Sequence, residues 1–195
     1  MDIEDIKKDL KINLKPHRYE HTLRVAETSE KYAKYHSVNR DKAYLAGLLH
    51  DCAKDREEFY IDKYKEKWLE FLKNHNSKDI KNKNLLHGYI GYVVAKEKYR
   101  VYDKEILNAI MFHSTGKENM SKLEKIILLS DKIEPERKYP GVDDIRLKAK
   151  EDLNLGLFLS TNNSLEYLIN KNEYISLNTI KLRNQLINTR GQYID

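Results

Sequence analysis

Leu45-Ala46-Gly47-Leu48-Leu49-His50-Asp51-Cys52-Ala53-Lys54-Asp55 places an imidazole beside a carboxylate on an otherwise apolar run. Burying a carboxylate in such a setting is costly unless something positive neutralises it. A divalent metal is an economical partner, because imidazole and carboxylate both ligate it well. The run reads as a helix from about Asn39 or Asp41 to Lys54, both residues being good caps. On a helix, Gly47, His50 and Asp51 share one side, and Gly47 is expected to leave room there for an ion or substrate.

Outward from this stretch, nearly every segment carries helical spacing. Ile3, Ile6 and Leu10 predict a first helix over about Asp2 to Leu10. Pro16 marks a break and the start of a second helix to about Tyr35. Ile61, Tyr64, Trp68 and Leu72 form one stripe, read as a fourth helix whose aromatics are core. The polar stretch from Asn74 to Asn84 reads as a loop. Helices follow over about Leu85 to Tyr99 and Asp103 to His113. Ser121 with Glu124 is a capping-box signature for another helix through Ile133. Pro135, Pro140 and Gly141 form a loop, and two or three further helices are expected between Val142 and Asn188. With only 7 Gly and 3 Pro, turn-rich β architecture is disfavoured. The expected fold is all-α, a helical bundle in one domain spanning 1–195. Its metal-site core covers about 16–140, and C-terminal helices about 142–188.

Charged residues make up 34% of the chain and alternate with apolar ones, as on solvated helix faces. The net charge of +5 suits a phosphate-bearing ligand, whereas no dense Lys/Arg run marks a nucleic-acid surface. The one cysteine, Cys52, excludes an internal disulfide and reads as a small buried residue. No apolar stretch approaches the roughly 18–20 residues that span a bilayer. The acidic N-terminus lacks the layout of a signal peptide, so a cytoplasmic protein with no membrane partner is expected.

Further ligand candidates sit on apolar faces. Asp131 extends the stripe Leu123 and Ile127, and His113 ends the stripe Ile106 and Ile110. His87, Gly91 and Val94 repeat the ligand–glycine–core arrangement seen around Gly47, and His21 follows His17 by one turn. His17, His36 and His75 fit no such pattern and read as surface residues. The order His21, His50-Asp51, His87, His113, Asp131 offers nitrogen and oxygen and no thiolate. That argues against a closed structural zinc site and for iron, manganese, cobalt or magnesium in an open one. These groups could serve one metal with spares, or two bridged by Asp51; two ions would activate water and clamp phosphate oxygens.

The fuller pattern is Arg18-Tyr19-Glu20-His21, His50-Asp51-Cys52-Ala53-Lys54-Asp55, His87-Gly88, Phe112-His113-Ser114-Thr115-Gly116 and Ser130-Asp131-Lys132-Ile133-Glu134-Pro135-Glu136-Arg137. It resembles the HD-domain metal-dependent phosphohydrolases, and within them the YqeK family, over about residues 16–140 and in total length. Cys52 stands where the pattern has a larger aliphatic residue, and Ser114 where it has Thr. The resemblance implies symmetrical hydrolysis of diadenosine tetraphosphate to two ADP. The metal it implies is iron, with manganese and cobalt as alternatives, held by His21, His50, Asp51 and Asp131. His87 and His113 are candidates for a second ion. Asp51, Lys54, His87 and His113 carry catalysis in this reading. Substrate contacts are expected from Arg18, from His50 through Lys54 including Cys52 and Ala53, and from His87, His113, Ser114, Thr115, Asp131 and Arg137. Tyr139 is the adenine candidate by its proximity to Arg137. The partner is a dinucleoside polyphosphate or an ADP-like nucleotide. Alternatives are a hydrolase of mononucleotides or of a signalling nucleotide, and a non-catalytic nucleotide or metal sensor. The C-terminal helices are expected either to cap the bundle or to form a homodimer surface.

Overall fold

A computed structural model describes residues 2–75 and 77–190; Met1, Asn76 and residues 191–195 lie outside it. The described residues are helical throughout, without strands: α1 (Ile3–Asn13), α2 (Pro16–Tyr35), α3 (Arg40–Leu49), α4 (Glu57–Lys63), α5 (Lys65–Asn74), a 3-10 turn (Lys78–Lys81), α6 (Leu86–Glu97), α7 (Lys104–Phe112), α8 (Lys122–Ile133), α9 (Val142–Glu151), α10 (Leu153–Asn170) and α11 (Leu177–Arg190). No helix among them is long and apolar enough to cross a membrane.

The helix starts follow local chemistry. Asp2, Asn39, Asp103 and Asp152 each accept hydrogen bonds from backbone N–H groups of the first turn, satisfying donors that a helix leaves orphaned. Pro16 opens α2, where its missing N–H costs nothing. Ser121 and Glu124 make the reciprocal capping box of α8. α8 is the axis of the core. Leu123, Ile126, Ile127, Leu129 and Ile133 are almost fully buried, and the helix packs against α2, α3, α7 and α10. Each such side chain contributes about 1.5–3 kcal/mol of burial, so α8 anchors whatever it carries at its end. That end carries Asp131.

Three expectations are corrected. The third helix stops at Leu49, not Lys54, and residues 50–55 form consecutive tight turns. There Cys52 N–H donates to the Leu49 carbonyl (3.1 Å), Lys54 N–H to that of Asp51 (2.9 Å) and Arg56 N–H to that of Ala53 (3.1 Å), with Asp55 at φ 63° ending the series. The expected single helix over Ile61 to Leu72 is two, broken at Tyr64, which takes a non-helical ψ of 34°. Its inward residues are Tyr60, Trp68 and Phe71, while Ile61 and Leu72 are only half-buried. Finally, Gly47 leaves no room for a ligand. A Cβ there would lie 2.9 Å from the Ala26 Cα, 2.9 Å from the Ser29 hydroxyl and 3.1 Å from the Val25 carbonyl. Gly47 lets α3 press its backbone onto α2, and at Gly91 a Cβ would likewise lie 3.2 Å from the Ile110 side chain.

Gly47→Ala therefore tests packing. It should destabilise the fold by about 1–3 kcal/mol in urea unfolding, because backbone atoms of α2 must move. Unchanged stability with altered metal content would instead restore the ligand-space reading.

Candidate metal centre and cleft

Six side chains from five helices and turns converge in the core. His21 projects from α2, His50 and Asp51 from the turn after α3, His87 from the first turn of α6, His113 from the C-cap of α7 and Asp131 from α8. All six are at most 6% exposed. The ligand atoms of His21, His50 and Asp51 lie within 4.8 Å of one another, and so do those of Asp51, His87 and His113. Asp51 is common to both groups. Its Oδ2 lies 3.5 Å from His50 Nε2 and accepts from Arg18 Nη1 at 2.9 Å, while its Oδ1 lies 3.3 Å from His87 Nε2 and 3.5 Å from His113 Nε2.

Partners that act in one role only fix the imidazole tautomers. His50 Nδ1 donates to the Gly47 carbonyl at 2.7 Å, and His113 Nδ1 to that of Ile110 at 2.7 Å. His21 Nδ1 donates to the Glu134 carboxylate at 3.1 Å, which Arg24 grips from the other side at 2.7 Å. All three rings therefore aim an Nε2 lone pair inward. The Nε2 atoms of His21 and His50 are buried without a hydrogen-bond partner. His21 Nε2 even faces Asp131 Oδ1 at 3.1 Å, two acceptors opposed. A cation relieves that arrangement, and the imidazole and carboxylate donors fit a divalent metal. His87 differs. Its Nδ1 accepts from Lys54 Nζ at 3.1 Å, so its Nε2 carries the hydrogen and lies 3.1 Å from His113 Nε2.

Electrostatics make the centre attractive to a cation: burial opposes a charge on His50, yet the Asp51 and Asp131 carboxylates outweigh it and push its pKa up. Burial pushes the Asp51 carboxyl up, but the imidazoles of His50, His113 and His87 outweigh it and hold it well below the carboxylate range. Burial likewise opposes ionisation of Asp131, yet Lys132, His21 and Arg137 hold it well below that range. Burial pushes His87 well down and His113 down, keeping both neutral. Arg137 forks onto Asp131, through Nη2 to Oδ1 at 2.7 Å and Nε to the backbone carbonyl at 2.7 Å.

The centre forms the floor of a cleft of about 490 Å³, within the range of small-molecule sites. Arg18, Lys54, Lys132 and Arg137 line it, as do Ser114, Thr115 and Tyr139. The Ser114 hydroxyl lies 3.0 Å from His113 Nε2. Cys52 and Ala53, expected to meet substrate, are instead buried in the core. The Cys52 thiol points to the Gly91 carbonyl, and burial pushes its pKa up, so it packs as a neutral group. Among the histidines read as surface groups, His17 is exposed. His36 is half-buried and bonds the Ala149 carbonyl at 2.7 Å, and His75 is half-buried against Phe71. Sequence reasoning did not pick out Glu134 as the partner of His21, although it stands three residues after Asp131. It also left unread the outer walls from Asn82, Asn84 and Leu85 and from Asn163, Tyr167 and Tyr174.

The HD domain family pattern matches residues 18–136. The chain belongs to the HD-domain family. That span holds all six convergent side chains and ends before α9. The chain is 40% identical over 180 residues to a protein of Halalkalibacterium halodurans named symmetrical bis(5'-nucleosyl)-tetraphosphatase, covering 91% of this chain and 93% of that one. A Bacillus subtilis protein of the same name is 36% identical over 180 residues, covering 91% and 94%. A crystal structure from Clostridium acetobutylicum, described as a predicted HD superfamily hydrolase involved in NAD metabolism, superposes with a TM-score of 0.85 at 39% identity. It covers 97% of this chain and 98% of that one.

Glu134→Ala should lower the affinity for divalent metal roughly 10–100-fold while the helical signal is retained, because His21 loses the acceptor that fixes its tautomer. Metal titration followed by elemental analysis reads this. Unchanged affinity would separate Glu134 from the centre.

Proposed function

We propose that this HD-domain protein is a divalent-metal-dependent hydrolase that splits diadenosine tetraphosphate symmetrically into two ADP. One observation carries the reading. An Asp51-centred cluster of inward-facing imidazole lone pairs and ionised carboxylates opens onto a cleft rimmed by Arg18, Lys54, Lys132 and Arg137. Two relatives named for this activity align over nearly their whole length and support the choice of substrate over mononucleotides, a signalling nucleotide or a sensor role.

His21, His50, Asp51 and Asp131 would hold the metal, iron in the first place, with manganese or cobalt as alternatives. His113 and the second oxygen of Asp51 are the donors left for a further ion. Bound there, the metal supplies Lewis acidity, which lowers the pKa of water and polarises a phosphate oxygen. The side chains supply the rest. Arg18, Lys54, Lys132 and Arg137 bind and orient the phosphate chain and offset its charge. Water adds to one of the two central phosphorus atoms and gives up a proton to solvent; that phosphorus loses its own bond to the bridging oxygen, which departs on the other ADP and takes a proton. His87 is the proton donor in this scheme: it passes its Nε2–H to the leaving oxygen while Lys54 Nζ returns a proton to its Nδ1, so the ring stays neutral. Ser114 and Thr115 serve as phosphate contacts, and half-buried Tyr139 as a nucleoside contact. The single hydrolase unit in this reading extends beyond the HD match, because α10 and α11 carry part of the cleft wall.

Product analysis tests the function. Diadenosine tetraphosphate should give two ADP, and a strong chelator should abolish turnover. Lys54→Ala should lower kcat about 100-fold or more, losing both a phosphate contact and the His87 tautomer. ATP plus AMP as products, or full activity after the metal has been removed, would overturn the reading.

A further inference from the structure

Asp79, on the 3-10 turn Lys78–Lys81, plays no part in the centre just described, yet it is 3% exposed and holds four side-chain donors. Its Oδ1 accepts from the Tyr174 hydroxyl at 2.9 Å. Its Oδ2 accepts from the Ser176 hydroxyl at 2.7 Å, the Tyr89 hydroxyl at 3.2 Å and the Asn178 amide at 3.2 Å. None of these donors is charged. A buried carboxylate is an expensive fastening for a loop unless every lone pair is used, and here both oxygens are engaged.

The partners show what is fastened. Tyr174 and Ser176 belong to the connection between α10 and α11 and Asn178 to the first turn of α11, 95 to 99 residues further along the chain. Tyr174 and Ser176 line the cleft. Asn82, Asn84 and Leu85, which follow directly on the turn that carries Asp79, line it as well. Asp79 therefore ties together two stretches of wall that lie outside the set of metal-facing side chains. A second bond steadies the far end of the connection, from the Thr179 hydroxyl to the Thr115 carbonyl at 2.9 Å. Asp79 does not line the cleft itself, and its oxygens are already taken. It can act on a ligand only through the residues it holds.

We infer that Asp79 is a positioning residue for the nucleoside portion of the substrate. By fixing the Tyr174–Asn178 segment against the 82–85 wall, it sets affinity for the nucleoside without touching the phosphate chemistry. This rests on the nucleotide reading of the cleft given above.

The test uses full-length, metal-loaded protein and two probes, ADP and inorganic pyrophosphate, measured by calorimetry beside kcat and KM for diadenosine tetraphosphate. Asp79→Asn keeps the shape but sets an NH2 against hydroxyl donors. It should weaken ADP binding and raise KM about tenfold or more, while pyrophosphate affinity, metal content and kcat stay within about twofold. Asn178→Ala removes one donor of that segment and should weaken ADP several-fold in the same selective way; it carries the test alone if Asp79→Asn does not fold. Tyr89→Phe removes the donor outside the segment and should leave ADP affinity within about twofold. Wild-type protein that binds ADP, with Asp79→Asn and Asn178→Ala binding it equally well, would overturn the inference alone. So would parallel losses of ADP, pyrophosphate and kcat, or a Tyr89→Phe loss equal to that of Asn178→Ala, since these mark general loosening. Wild-type protein that neither binds ADP nor cleaves the dinucleotide would remove the functional reading and this inference together.

Discussion

The carboxylate of Asp51 is the constraint on which the rest of the structure depends. It is buried, it stays ionised, and its two oxygens face different imidazoles, His50 on one side and His87 with His113 on the other. A helix running on through residue 54 would have turned His50 and Asp51 about 100° apart around its axis. His50 keeps helical φ and ψ at the end of α3, the chain then leaves through the tight turns, and His50 Nε2 and Asp51 Oδ2 meet at 3.5 Å. Everything packed behind them keeps that turn in place. Gly47 allows α3 to seat on α2, and Cys52 and Ala53 plug the core beneath.

Around this pivot the fold works by aiming helix ends. His50 and His113 are each locked by a bond from Nδ1 to a carbonyl three residues earlier, so the helix geometry itself selects the tautomer. His21 is locked instead by Glu134, and Glu134 by Arg24, which carries the same logic across two helices. Lys54 reverses it at His87 and so distinguishes that ring from the other three. One scaffold thus produces lone pairs where a cation belongs and an N–H where a leaving group would need one. The helices beyond residue 136 add no ligand. They supply cleft wall, and they are bound to the HD portion by polar contacts such as Thr179 to Thr115 and the Asp79 cluster.

Much of this was legible in the sequence because the signals are local. The cap at Asn39, the capping box at Ser121 and the apolar stripes ending in His113 and Asp131 place their helices and inward faces correctly. The six convergent residues stood out because each is a polar group on an otherwise apolar face. What was not legible depends on partners distant in the chain. Gly47 shows a missing side chain, but only the fold shows that α2 fills the gap. Asp79 sits in a polar stretch that looks solvated, and nothing nearby announces Tyr174, Ser176 and Asn178. The bond from His21 to Glu134 was not legible because the two stand 113 residues apart. Cys52 and Ala53 were drawn into the substrate set by adjacency to Asp51, although neighbouring positions in a tight turn point in different directions.

The most direct measurement is an anomalous difference map from crystals of active protein purified without added metal, collected on both sides of the iron edge. The expected result is a peak within bonding distance of His21 Nε2, His50 Nε2, Asp51 and Asp131. Active enzyme whose map shows no peak there, with these side chains joined to one another by ordinary hydrogen bonds, would contradict the account.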